Sequence, residues 1–142
     1  MRILIVDDDK SLCRSLQIHL ERMKHSVSTA NRAAEGLQSI ENMKPDLVFL
    51  DLELPDQRGV EILKDISGLN ETVLVVMITG VQDTKATIEA IRDGAFDYIR
   101  KPLDLDAITV SITKAEQFFQ RRQARETVKI AAKSTDPFEI VG

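Results

Sequence analysis

Leu47-Val48-Phe49-Leu50-Asp51 is a run of four apolar residues that stops abruptly on a carboxylate and is followed by Leu52-Glu53-Leu54-Pro55. A continuous apolar run this short reads as a strand covered on both faces, the environment of a parallel sheet flanked by helices. Similar runs stand at Ile3-Leu4-Ile5-Val6, which ends on Asp7-Asp8-Asp9, and over residues 72–78, which end on Thr79-Gly80. A shorter one at residues 96–99 leads into Arg100-Lys101-Pro102. Residues 25–30 are partly polar, as expected of an edge strand.

Helical patterns fill the gaps between these runs. Residues 11–23 place Leu12, Leu16 and Leu20 on one face, and residues 33–42 carry Ala33, Leu37 and Ile40 before Pro45. Val60, Leu63 and Ile66 line a third helix, and Ile88 and Ile91 a fourth over residues 84–93, with Gly94 placed to cap it. Strict alternation of strand and helix predicts an α/β domain, a doubly wound five-stranded parallel sheet with its site at the carboxyl ends of the strands.

The last helix is different. Neither Gly nor Pro interrupts the chain from Asp104 to Lys133, so the helix can extend about 45 Å at 1.5 Å per residue. Ile108, Ile112, Ala115 and Phe119 make a packing seam, beyond which that register meets Arg122, Glu126 and Lys129, and the apolar positions shift to Ala124, Val128 and Ala131. Ser134-Thr135-Asp136-Pro137 should break the helix, and Phe138-Glu139-Ile140-Val141-Gly142 reads as the threshold of another domain. The expected division is residues 1–120 as one domain and 121–142 as a helical extension and linker.

Composition narrows the function classes. A net charge of −4 leaves no basic face of the size nucleic acid requires, so no nucleic acid is expected on this segment. Cys13, the one cysteine, cannot form an internal disulfide and reads as a small core residue. The N-terminus has no signal-peptide pattern and no apolar run approaches the roughly 20 residues of a membrane span, so the expected location is cytoplasmic, away from the membrane.

The chemistry lies where strands end. With the first and third strands adjacent, Asp7, Asp8 and Asp51 meet. Clustered carboxylates raise one another's pKa values and call for a cation, and a few oxygen ligands with room for water suit Mg²⁺. Asp9, nearest to the first helix, is better explained as its N-cap. Thr79 alone is a turn residue and Lys101 alone a solvated charge. Together with the acid pair and Asp51, one feature per strand end, they form a constellation for phosphoryl transfer to a carboxylate. The Lys101–Pro102 bond, preceding proline, is a candidate for the cis form.

These residues resemble the receiver domain of bacterial response regulators. The resemblance runs through Ile3-Leu4-Ile5-Val6-Asp7-Asp8-Asp9, Phe49-Leu50-Asp51-Leu52-Glu53-Leu54-Pro55-Asp56-Gln57-Arg58-Gly59, Ile78-Thr79-Gly80 and Lys101-Pro102, over roughly residues 1–120. It implies a flavodoxin-like (βα)₅ fold, with Asp51 as phosphoacceptor. It further implies Asp8 as a direct Mg²⁺ ligand, Asp7 as a ligand directly or through water, and the Glu53 backbone carbonyl as another. Thr79 is then the hydroxyl that meets the phosphoryl group, Lys101 the cation that contacts Asp51 or the phosphate, and Tyr98 the aromatic residue that turns inward with Thr79. The bland reading of Tyr98 is a half-buried residue on the last strand. Gln57-Arg58 replaces the more usual pair before Gly59. The implied partner is a sensor histidine kinase, and the implied switch is a surface around the fourth helix, fifth strand and fifth helix; the long last helix and its Ile108, Ile112, Ala115 and Phe119 stripe point to a homodimer interface there. Such a domain is a phosphoacceptor rather than an enzyme. The long helix followed by Asp136-Pro137-Phe138-Glu139-Ile140-Val141-Gly142 looks like the linker to the AAA+ domain of NtrC-type, sigma-54-dependent activators.

Three rivals share parts of this pattern. A haloacid-dehalogenase-type phosphatase expects a second Asp two residues after the nucleophile, where Glu53 stands here, followed by Leu54-Pro55. A flavin-binding flavodoxin needs a hydroxyl- and Gly-rich loop after the first strand, where three aspartates would repel the phosphate. A stand-alone receiver acting only by protein contacts would differ in the chain beyond Gly142.

Overall fold

A computed structural model of the chain describes residues 1–70, 72–80 and 84–134, with residues 126–134 by backbone alone. Strands and helices alternate as β1 (Arg2–Val6), α1 (Lys10–Arg22), β2 (Ser26–Ala30), α2 (Ala33–Met43), β3 (Leu47–Asp51), α3 (Gly59–Leu69), β4 (Leu74–Thr79), α4 (Thr84–Arg92), β5 (Asp97–Arg100) and α5 (Leu105–Ser134). All strand pairs are parallel, in the order β2-β1-β3-β4-β5. The polar strand β2 is at an edge, as its sequence predicts. The chain reverses its direction of winding between β1 and β3, and the crevice at such a switch point is where doubly wound sheets bind ligands.

The strand period of two explains the core. Leu4 and Val6, Val48 and Leu50, and Val75 and Met77 point to one face, where they pack with Ala33 and Ile40 of α2, Ile62, Leu63 and Ile66 of α3 and Ala90 of α4. Ile3, Ile5, Phe49 and Val76, fully buried, alternate to the other face. Both faces are covered, hence the near-continuous apolar runs.

Two helices present different faces from those the sequence suggests. In α1 the buried residues are Cys13, Leu16 and Leu20, with Leu12 only half-buried. In α4 they are Thr87 and Ala90, while Ile88 and Ile91 are 51% and 44% exposed. Small residues face the core, and the larger isoleucines are left on the outer side. Gly94 does cap α4, with φ of 106° and its N–H donating to the Ile91 carbonyl.

Residues from Thr109 onward form a second compact unit. Ile108, just before it, and Ile112 and Ala115 within it are fully buried within the single chain, with Phe119 half-buried, so these three are not open to a second copy as a dimer seam would be. Phe118 and Phe119 meet edge to face with ring centroids 5.8 Å apart, and the Arg122 guanidinium lies 5.3 Å from the centre of the Phe118 ring. The helix reaches Ser134, the length its sequence predicts. The side chains of Glu126, Val128, Lys129 and Ala131, the expected break after Ser134 and the Phe138–Gly142 segment lie outside the described residues.

Candidate functional site

Val6 and Leu50 are register partners across β1 and β3, so the next residues, Asp7 and Asp51, emerge side by side at the switch point. Both are buried, Asp7 completely and Asp51 to 5% exposure, whereas Asp8 is exposed. Asp7 is fixed at every backbone atom that can bond. Its N–H donates to the Ala30 carbonyl at 3.0 Å. Its own carbonyl accepts from Asn31 Nδ2 at 2.9 Å and from Cys13 Sγ at 3.3 Å. One carboxylate oxygen, Oδ1, accepts from the Asp9 N–H at 2.9 Å. Asp9 itself caps α1 by accepting from the Leu12 N–H at 3.1 Å, so the aspartate triplet divides as its sequence suggests.

Lys101 Nζ lies 3.3 Å from Asp51 Oδ2, to which it donates, and 3.3 Å from Asp7 Oδ2. The second contact has ion-pair distance but not hydrogen-bond alignment, and the buried Asp7 Oδ2 has no hydrogen-bond donor. Asp51 Oδ1 accepts from the Glu53 N–H at 3.2 Å. The Lys101–Pro102 peptide is cis. Thr79, the last residue of β4, is 1% exposed, and its carbonyl accepts from the Lys101 N–H at 2.7 Å. The side chains of Asp7, Asp8, Asp51 and Lys101 thus converge, while the backbone holds Thr79 and Glu53 next to them. Tyr98 is 40% exposed on β5, opposite Met77, and stands apart from the cluster.

Burial raises the Asp51 carboxyl to about 6, the neighbouring Asp7 charge adds to the rise, and the Glu53 N–H and Lys101 oppose it. Burial also raises Asp7 against the Asp9 N–H and Lys101. Burial pulls the Lys101 ammonium down, but Asp51 and Asp7 more than offset this, and its net shift is upward. The Cys13 thiol is pushed up to about 11 by burial and by the Asp7 and Asp9 charges, which fits an inert core residue.

Asp7, Asp8 and Asp51 each offer an oxygen, and these oxygens lie within 4.8 Å of one another. One ammonium beside three carboxylates leaves two negative charges unbalanced. Together with Asp7 Oδ2, which Lys101 approaches at ion-pair distance but which accepts no hydrogen bond, that deficit fits a divalent cation, and an all-oxygen donor set suits Mg²⁺.

Two supports of the site act through contacts that the sequence does not reveal. Gly59 opens α3 directly beneath Asp51: a Cβ there would lie 2.6 Å from the Asp51 carbonyl oxygen and 2.7 Å from Leu52 Cα. Asp56, at the tip of the loop after Asp51, accepts from the Ala33 N–H at 2.8 Å and the Ala34 N–H at 3.1 Å, capping α2, whose own N-cap residue Arg32 makes no side-chain capping bond. These amide bonds hold the Asp56 carboxyl below its usual range.

No helix among the described residues is long and apolar enough to cross a membrane. Compared with known proteins, residues 3–113 match the model of the response regulator receiver domain. The transcriptional regulatory protein ZraR of Escherichia coli K12 is 35% identical over 113 residues, 80% of this chain and 26% of that protein. The DNA-binding transcriptional regulator NtrC of the same organism is 29% identical over 134 residues, 94% of this chain and 29% of that protein. The chain therefore spans about a quarter of the length of the curated relatives it matches. Among solved structures, NtrX of Brucella abortus superposes with a TM-score of 0.83 at 31% identity, covering 89% of this chain and 29% of that one. A CheY-like receiver domain protein of Methanospirillum hungatei JF-1 does so with a TM-score of 0.79 at 33% identity, covering 84% and 97%.

Proposed function

Because the chain belongs to the response regulator receiver domain family, we propose that it is the phosphoacceptor input of a two-component signalling protein, with Asp51 taking the phosphoryl group of a sensor histidine kinase. The observation that carries this reading is the buried Asp51 carboxylate held between Asp7 and the Lys101 ammonium at the sheet's switch point. An Asp51 oxygen attacks the phosphorus of a phosphohistidine. The P–N bond breaks, its electron pair returns to the imidazole, and Asp51 becomes an acyl phosphate. Asp7, Asp8, Asp51 and the Glu53 carbonyl are the residues that would hold Mg²⁺, which when bound supplies positive charge against the phosphoryl oxygens. Lys101 pairs with one of those oxygens and the Thr79 hydroxyl donates to another. An open groove of about 790 Å³ beside Lys101, bordered by Ser11, Leu12 and Ser15 of α1 and by Pro102, gives a helical donor a way in. The domain consumes its own Asp51 and acts as a switch in the cytoplasm rather than as a turnover enzyme.

The test is to treat the protein with acetyl phosphate and Mg²⁺, reduce the acyl phosphate with borohydride and map the modified residue. Modification at Asp51 alone is expected. A label on another residue, or no label, sinks the assignment.

The output follows from the surface. Movement of Thr79 toward the phosphate, with Tyr98 turning inward, biases a homodimer built on α4, β5 and α5, whose Ile88, Ile91 and Tyr98 are exposed. Light scattering should find a change between monomer and dimer on phosphorylation; a monomer at high concentration in both states rejects this interface. Residues 121–142 then lead from the receiver, residues 1–120, to an output domain. Relatives named as transcriptional regulators, of which the chain covers 26% and 29%, support an output in transcription, and the resemblance of residues 136–142 to the linker of sigma-54-dependent activators favours an AAA+ domain for it.

A further inference from the structure

The turn between β2 and α2 gives no side chain to the acidic cluster, yet it touches both chain segments that carry it. Asn31 Nδ2 donates to the Asp7 carbonyl at 2.9 Å, across 24 residues of sequence, and lies 3.9 Å from Cys13 Sγ, which bonds the same carbonyl. Two residues on, the N–H groups of Ala33 and Ala34 donate to the two carboxylate oxygens of Asp56. Asp56 belongs to the loop that leaves Asp51 and carries Glu53. That loop is closed at its base, where the Gly59 N–H donates to the Leu52 carbonyl at 2.7 Å and Glu53 bridges Arg58. A pull on its tip is therefore transmitted to Asp51 and Glu53.

We propose that Asn31 and Asp56 are positioning residues: through the turn at residues 31–34 they clamp the Asp7–Asp8 segment and the Asp51–Glu53 loop at the separation a divalent cation requires. The inference rests on the metal-binding reading of the acidic cluster. The physical need is clear from the charges. Without a clamp, the buried carboxylates would lower their repulsion by moving apart, and each time the cation bound it would have to draw them together again. The bonds that hold them are remote from the cluster, so the clamp does not occupy any oxygen that faces it. Groups outside the ligand sphere that orient ligands in this way are typically worth roughly 10- to 100-fold in metal affinity.

The experiment is calorimetric titration of the 142-residue protein with MgCl₂, alongside metal-free thermal unfolding. Asn31→Ala and Asp56→Ala should each weaken Mg²⁺ binding roughly tenfold or more. Asp56→Asn removes the same charge but keeps one acceptor oxygen, enough for one of the two α2 amides, and it should weaken binding clearly less than Asp56→Ala. Ile66→Val, in the core and seven residues along α3 from Gly59, should lower the melting temperature and leave the affinity unchanged. If Asn31→Ala and Asp56→Ala unfold at lower temperature but bind Mg²⁺ like the wild type, the two residues are merely structural and the proposal is wrong. If Asp56→Asn loses as much as Asp56→Ala, charge rather than the clamp is responsible, and the Asp56 half is wrong. A wild type that does not bind Mg²⁺ overturns the metal-binding reading itself, and the clamp with it.

Discussion

Asp51→Asn should take no phosphoryl group from acetyl phosphate, and without metal at pH 7.5 it should be more stable than the wild type. The first result follows from loss of the nucleophilic oxygen pair. The second follows from proton linkage. In the folded protein the Asp51 carboxyl is raised from 3.8 to about 6 by burial and by Asp7. A raised acid contributes its full stability below the unfolded value and loses it as the pH climbs through the folded value. The wild type should therefore lose stability between about pH 4 and pH 6.5 and stay low above that. A rise of this size corresponds to about 3 kcal/mol at most, so the expected gain of Asp51→Asn is about 1–3 kcal/mol. The gain should shrink toward pH 4, where the wild type is protonated as well. Adding Mg²⁺ should stabilise the wild type and hardly affect the variant, because only the former keeps its full set of ligands. Urea titrations at pH 4.5 and 7.5, with and without Mg²⁺, read all of these effects. If the two proteins are equally stable at pH 7.5 without metal, the strain assigned to the acid pair is absent.

Gly59→Ala should be among the most destabilising single-methyl additions in the chain. An alanine at a helix position ordinarily gains about 0.5–1 kcal/mol over glycine by restricting the unfolded chain. At Gly59 that gain is outweighed, because the added Cβ would stand 2.6 Å from a backbone carbonyl oxygen and 2.7 Å from a Cα, atoms that cannot rotate away. Overpacking of this kind costs about 3 kcal/mol, a fall in Tm of about 10 °C. The displaced atoms belong to Asp51 and Leu52, so phosphorylation should slow as well. Gly68 in the same helix is the control. A Cβ there meets nothing within 4 Å, and Gly68→Ala should raise stability by about 0.5–1 kcal/mol. If both substitutions raise the melting temperature, Gly59 is not the constraint its surroundings indicate.

The legible part of the sequence is local. Asp7, Asp51, Thr79 and Lys101 each end an apolar run, and a run's end is visible without knowing its neighbours. The alternating order of strands and helices then determines which ends meet. The Asp9 cap is legible for the same reason, its partner Leu12 being three residues away. The clamp is not legible, because Asp56 caps α2 from 23 residues downstream while the residue in the cap position is Arg32. The face of α4 escapes the sequence for a different reason. Hydrophobicity favours burying Ile88 and Ile91, but whether a helix turns large or small residues inward depends on how closely it approaches the sheet, which periodicity does not encode.

That reversed face sets the scale of the work the domain must do. Fully burying a Val, Leu or Ile side chain gives about 1.5–3 kcal/mol, and α3 buries Val60, Ile62, Leu63 and Ile66. In α4 only Thr87 and Ala90 are buried, so it lacks all the large anchors that α3 has. A hydrogen bond to a charged group is worth about 1.5–3 kcal/mol, less than the anchorage of α3 but of the same order as that of α4. In the proposed switch, one new bond from Thr79, at the end of the strand that precedes α4, would be commensurate with displacing so lightly anchored a helix.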